Sequence, residues 1–158
     1  MSSFTLLVSD SPLKEVDYSG IAEITVGELK KLYPINENTP EEPWHTMDDD
    51  VRVLHAPDES AFGHLTISVC TNPPYDLDFY SEKEYMYWLS GNWNDKFLTD
   101  FANYIKEYIK AEENVELLIF WAGDGEQKLV ERTVKIDEIE PSDLEMYKNG
   151  DNLRLQFV

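Results

Sequence analysis

The 158-residue chain carries 32 acidic against 13 basic side chains, a formal net charge of −19 at pH 7, with 42% hydrophobic and 13% aromatic residues. Acidity of that degree disfavours direct binding to nucleic acid or to an anionic membrane through basic patches. The apolar and aromatic content excludes the disordered state that high charge otherwise accompanies. Cys70 is the sole cysteine, so neither an internal disulfide framework nor a Cys-rich zinc cluster is available. The length fits one domain, residues 1–158, and a chain of this size folds without staples. The longest strongly apolar stretch, Val115 to Ala122, is interrupted by Glu116 and falls far short of the roughly 20 residues a bilayer span needs. The opening Met-Ser-Ser-Phe-Thr has no basic segment or apolar run of the secretory kind, so a cytoplasmic location is expected.

Phe4 to Val8 reads as a first strand, ended by Ser9-Asp10-Ser11-Pro12. Thr25-Val26-Gly27-Glu28 has the capping-box spacing, in which hydroxyl and glutamate satisfy each other's orphan amides; a short helix to Leu32 is predicted, stopped by Pro34. The fourteen residues from Glu37 to Asp50 hold six carboxylates and no Lys or Arg. Their prolines, Pro40 and Pro43, argue against regular structure and predict a long acidic loop. Val51 to His55 and Gly63 to Cys70 alternate as strands do, and the turn-like residues between them predict a hairpin. Asn72-Pro73-Pro74 then opens an aromatic stretch, Tyr75 to Trp93, that the pattern leaves unassigned.

From Asp95 to Lys110 the apolar residues Phe97, Leu98, Phe101, Tyr104, Ile105, Tyr108 and Ile109 form one stripe, and Asp100, Asn103, Lys106 and Glu107 occupy the opposite face. That spacing predicts a helix lying on a sheet. Glu116 to Trp121 and Leu129 to Ile136 flank Gly123-Asp124-Gly125-Glu126, and Asp-Gly between β-rich runs predicts a second hairpin. Asn152 to Val158 alternates Leu153, Leu155 and Phe157 with Arg154 and Gln156 as a final strand. Runs of strands with few helices indicate an α+β fold: a largely antiparallel sheet with one long amphipathic helix packed on it and one or two short helices.

Motifs for catalysis are missing. His45, His55 and His64 show no helical pairing and no Cys partner at zinc spacing. His55 and His64 face each other across the first predicted hairpin, where Asp58 would complete a metal shell, but ordinary strand histidines are the simpler reading. Cys70 lies in a predicted strand as a buried structural thiol. Asp48-Asp49-Asp50 lacks EF-hand spacing and reads as a solvated run. Gly123-Asp124-Gly125 is a turn and not a phosphate loop, and no G-x-S-x-G elbow occurs. No enzyme and no cofactor are expected.

Binding is the more informative theme. Tyr75, Phe79, Tyr80, Tyr85, Tyr87, Trp88 and Trp93 fall among Asp76, Asp78, Glu82 and Glu84. Rings supply contact area and cation–π attraction while carboxylates pair with Lys and Arg, so this mixture suits a cationic partner. The competing reading makes Tyr85, Trp88 and Leu89 the buried side of a short helix. Trp44, within the acidic loop, is the better single anchor. The candidate partner-binding residues are therefore Trp44, Glu41, Glu42, Asp48, Asp49, Asp50, Trp88 and Trp93.

In outline the chain resembles the small acidic immunity proteins of bacterial toxin–immunity systems, which share its α+β architecture, acidity, Trp/Tyr-rich surface and lack of catalytic motifs. The resemblance is one of composition and architecture, and no residue role is carried over from it. It implies a non-enzymatic inhibitor, monomeric or weakly self-associating, that neutralises a basic protein such as a toxin or nuclease. The alternative is a small enzyme or ligand-binding domain with a pocket of Trp88, Trp93 and Trp121 and a polar group from His55 or His64. A third is a homo-oligomer that uses the aromatic stretch as a self-interface, against its own charge.

Overall fold

The computed structural model describes residues 2–148, 150 and 152–158. In chain order its strands and α-helices are β1 (Ser2–Ser9), β2 (Val16–Asp17), β3 (Ala22–Thr25), α1 (Val26–Leu32), β4 (Arg52–His55), β5 (Thr66–Val69), β6 (Tyr85–Ser90), α2 (Asp95–Tyr108), β7 (Glu116–Ala122), β8 (Val130–Val134), α3 (Pro141–Glu145) and β9 (Leu153–Phe157). The fold is α+β with a largely antiparallel sheet, as the pattern of elements predicts. Two compact units divide it: one spans the chain up to Tyr18 and again from Gly63 onward, the other Ser19–Phe62.

The larger unit holds a seven-stranded sheet in the order β2-β5-β6-β1-β7-β9-β8. Every neighbouring pair is antiparallel except β8 with β9. Its central strand is β1, and in the neighbouring β7 Leu117 to Phe120 are all buried because both faces of the sheet are covered there. Period-two alternation sends Leu7, Tyr87, Leu117, Leu155 and Phe157 to one face, where Phe97, Phe101 and Ile105 of α2 and Leu144 of α3 pack on them. Leu6, Val8, Leu118 and Phe120 point to the other face and are covered by Leu77 and Tyr80.

Helix α2 starts where Asn94 accepts the Phe97 amide at 2.9 Å. It stops two residues short of the predicted Lys110, because Ile109 turns to extended backbone while its amide still reaches the Ile105 carbonyl at 3.2 Å. The approach to the helix is tight: a Cβ at Gly91 would lie 2.2 Å from Cδ2 of Phe97. Trp93 follows in the left-handed region at φ 53, which stacks its ring 4.9 Å from that of Phe97.

Three predicted elements differ. Val51 to His55 does not pair with Gly63 to Cys70: β4 pairs with β3, whereas β5 pairs with β2 and β6. Only β5 carries a fully buried face residue, Ile67, and so it joins the main sheet while the half-exposed β4 forms a two-stranded sheet with β3. Nor do β7 and β8 form a hairpin, although Gly123 and Gly125 do take positive φ of 116° and 80°. β9 inserts between them, because it buries Leu153, Leu155 and Phe157 on α2 while β8 is mostly exposed. Burial decided what turn propensity alone predicted wrongly. Thirdly, Tyr85 to Leu89 is strand β6 and not a short helix, as the high strand preference of Tyr and Trp allows.

Candidate functional site

In the smaller unit the predicted capping box is present: Thr25 Oγ1 accepts the Glu28 amide and Glu28 Oε2 accepts the Thr25 amide, both at 3.1 Å. The next amides of α1 are taken up by the chain returning from the acidic segment. The Val26 N–H donates to the Val51 carbonyl at 2.8 Å and that of Gly27 to the Asp49 carbonyl at 2.9 Å. Lys30, one turn on, reaches the Asp49 carboxylate at 2.8 Å. Asp49 is thus partly a tether, and the segment is not without a basic neighbour as its composition suggested. Among the described residues this is the ion pair the segment makes, and Glu37, Glu41, Glu42, Asp48 and Asp50 remain exposed without one.

The segment is also less irregular than predicted, since Pro43–Thr46 forms one 3-10 turn. Proline at the start of such a turn loses no hydrogen bond that the turn requires. The turn fixes Trp44, half-buried, with its ring edge-on to His45 at 4.3 Å and its indole N–H donating to Glu42 Oε2. The Glu42 amide in turn donates to Nδ1 of His45 at 3.3 Å. A cleft of about 360 Å³ opens beside this turn, walled by Leu29, Tyr33, Pro34, Thr39, Glu42, Trp44 and His45. Tyr33 is braced by its hydroxyl, 3.1 Å from Nε2 of His55.

Large apolar side chains are exposed around this turn and elsewhere on the unit: Leu32, Tyr33, Ile35, Met47, Val51, Leu54 at 75% and Phe62 at 73%. Residues 19–62 carry ten acidic against three basic side chains. An apolar surface inside an acidic field is costly in water unless something covers it. These residues were missed in the sequence; the run Leu32-Tyr33-Pro34-Ile35, which leaves a short helix without a polar side chain, was the available signal.

The other tryptophan candidates lie in the larger unit and do not share a surface. Trp88 sits half-buried on the side of the sheet away from α2, its ring 6.0 Å from Phe4. Trp93 is packed on the α2 side against Phe97 and Phe101. Neither stands free as an anchor, whereas Tyr75 of the same stretch is 98% exposed. Nor do Trp88, Trp93 and Trp121 line one pocket; Trp121 lines a separate cleft with Asp124, Gln127 and Asn152. His55 is held by Tyr33, and Nδ1 of His64 lies 3.3 Å from the Tyr18 carbonyl. Among the described residues, no group of three or more His, Cys, Asp or Glu is placed to hold a metal ion. Cys70 is a buried free thiol whose pKa burial pushes up, which leaves it a poor nucleophile.

A polar network in the larger unit was also missed. Glu116, 7% exposed, accepts from Arg154 and from Gln156, each at 3.1 Å, and a second Arg154 nitrogen donates to the Tyr80 carbonyl at 2.7 Å. Beside it, Asn114 and then Lys83 hold the Asp10 carboxyl below its usual range. Asp10, Lys83, Asn114, Glu116 and Gln156 border a cleft of about 420 Å³, but the charges there are already satisfied, Asp10 by Lys83 and Glu116 by Arg154. No helix among the described residues is long and apolar enough to cross a membrane. Comparison with protein-family models, with curated proteins and with solved structures finds no match.

Proposed function

We propose that the protein is a non-enzymatic binding protein that neutralises a basic protein partner, in the manner of the immunity proteins it resembles. The observation that supports this most is the smaller unit, where the exposed carboxylates of Glu37, Glu41, Glu42, Asp48 and Asp50, in no ion pair among the described residues, share a 44-residue stretch with exposed Leu, Ile, Tyr and Phe side chains. The carboxylates raise the encounter rate and select the sign of the partner, and the apolar groups set the lifetime of the complex. The protein acts as a monomer or associates with itself only weakly, because self-association would bring two charges of −19 together. Its unbridged Cys70 suits a reducing cytoplasm.

The test is capture. Immobilised protein is exposed to lysate of the native host and bound proteins are identified by mass spectrometry, alongside a variant with Glu37→Gln, Glu41→Gln, Asp48→Asn and Asp50→Asn. Asp49 is spared for its tie to Lys30. A basic protein is expected, associating with the variant about tenfold more slowly at low salt. An acidic partner, or a basic one that associates equally fast with both forms, contradicts the proposal.

A further inference from the structure

We infer that the cleft beside Trp44 is a receptor for one arginine side chain; this deepens the binding function proposed above and names what the partner inserts there. The walls carry the argument. Tyr33 and Trp44 offer aromatic surface, Leu29 and Pro34 offer apolar surface, and the one carboxylate among the lining groups is Glu42. Among the described residues no Lys or Arg lines the cleft; of the two lysines next to it in α1, Lys30 is taken by Asp49, and the segment from Glu37 to Asp50 holds six carboxylates, so the local field favours a cation over an anion. A purely apolar occupant would strip water from Glu42 and give its carboxylate nothing in return. A cation with a flat apolar face satisfies both requirements.

Guanidinium meets them better than ammonium. It is planar, less strongly hydrated and able to lie on an aromatic ring while its edge donates hydrogen bonds to a carboxylate. Such bonds to an ionised acceptor are about twice as strong as neutral ones. The receptor is set before the ligand arrives: the Trp44 indole N–H donates to Oε2 of Glu42, and the carboxylate stays exposed with lone pairs to spare for an incoming donor. His45 packs perpendicular to the indole at 4.3 Å, and the Tyr33 hydroxyl lies 3.1 Å from Nε2 of His55. Little order is lost on binding, which favours affinity from a small contact. At about 360 Å³ the cleft suits one side chain and not a folded element.

The experiment follows the indole N–H signals of the intact protein by two-dimensional NMR, with that of Trp44 assigned from its loss in Trp44→Phe. The probes are Nα-acetyl-arginine amide, its lysine counterpart and its neutral isostere, Nα-acetyl-citrulline amide. The arginine compound should shift the Trp44 signal saturably in the millimolar range and leave those of Trp88, Trp93 and Trp121 in place. The lysine compound should bind at least fivefold more weakly, and citrulline should produce no saturable shift. Glu42→Gln should weaken arginine binding at least tenfold with the backbone amide signals of α1 and of the β3–β4 pair unmoved, which shows that the smaller unit keeps its fold. No saturable shift with arginine, equal binding of lysine or citrulline, or full arginine binding by Glu42→Gln would each overturn the assignment. Because Glu42 is untouched in the four-carboxylate variant, a basic partner slowed by that variant, together with a cleft that ignores arginine, would sink the arginine receptor and leave the binding function standing.

Discussion

Tyr104 shows how a single group ties the fold to pH. Its ring is 1% exposed, its hydroxyl donates to the Lys14 carbonyl at 2.7 Å, and burial pushes its pKa well above the ordinary tyrosine value of 10.0. Because the folded value lies above the unfolded one, the unfolded chain loses this proton first as pH rises. The stabilisation is complete below about pH 10 and drains away as pH climbs past it. Urea unfolding at pH 7 and at pH 11 should show the wild type losing stability between them. Tyr104→Phe should start about 1 kcal/mol lower at pH 7 and lose less; an identical alkaline loss in both would rule Tyr104 out as its source. Arg154 makes a different prediction. Arg154→Ala leaves the Glu116 carboxylate buried with Gln156 as its remaining side-chain donor, and such a broken pair costs about 3 kcal/mol. Replacing both, Arg154→Met with Glu116→Gln, should recover most of that in the same assay. This network was half legible in the sequence. Arg154 and Gln156 alternate with the apolar residues of β9, and Glu116 interrupts an apolar run, but their meeting depends on a strand order that no local pattern encodes.

Among the elements, α2 was the most legible, because one stripe of a 3.6-residue period has only one way to lie on a sheet. Phe101 lies fully buried in the core cluster that holds Leu117, Leu155 and Phe157. Phe101→Ala should therefore cost about 3–5 kcal/mol in urea unfolding, from lost transfer energy plus the cavity left behind. A change under 1 kcal/mol would mean that the helix does not pack as described. Gly91→Ala probes the entry to the same helix and should destabilise at least comparably, since the Phe97 ring, and not open solvent, occupies the place of the new methyl. The strand pairings were the least legible. Asp124-Gly125 makes its turn as predicted, yet the strands on either side do not meet, because β9 arrives from 30 residues away with a better apolar face. Local signals name turns and strands, whereas pairing is settled by competition for the core, which becomes visible only in three dimensions.

At the scale of the molecule, the smaller unit is an insertion with its two ends side by side. Val16 and Asp17 of β2 pair with Ile67 and Thr66 of β5, and the Tyr18 amide donates to the Leu65 carbonyl at 3.0 Å. Both buried clusters of the seven-stranded sheet are drawn wholly from outside residues 19–62. Replacing 19–62 by a short Gly-rich turn should leave a chain that still unfolds cooperatively with the helix and sheet signals of the larger unit. Loss of the near-ultraviolet signal of Trp88, Trp93 and Trp121 would refute that. The sequence shows where the charge concentrates, at Glu37 to Asp50, but not that Leu54 and Phe62 are left uncovered around it, since exposure is a property of what fails to pack. On the function proposed above, this acidic, apolar insertion recognises a basic protein by long-range attraction followed by apolar contact. The most direct test is the association rate with the captured partner as a function of salt, for the wild type and for the variant with Glu37, Glu41, Asp48 and Asp50 neutralised. The wild-type rate should fall steeply with ionic strength, and the variant should start about tenfold lower with a flattened slope and a nearly unchanged dissociation rate. Equal slopes for the two proteins would contradict the account and move the interface away from the insertion.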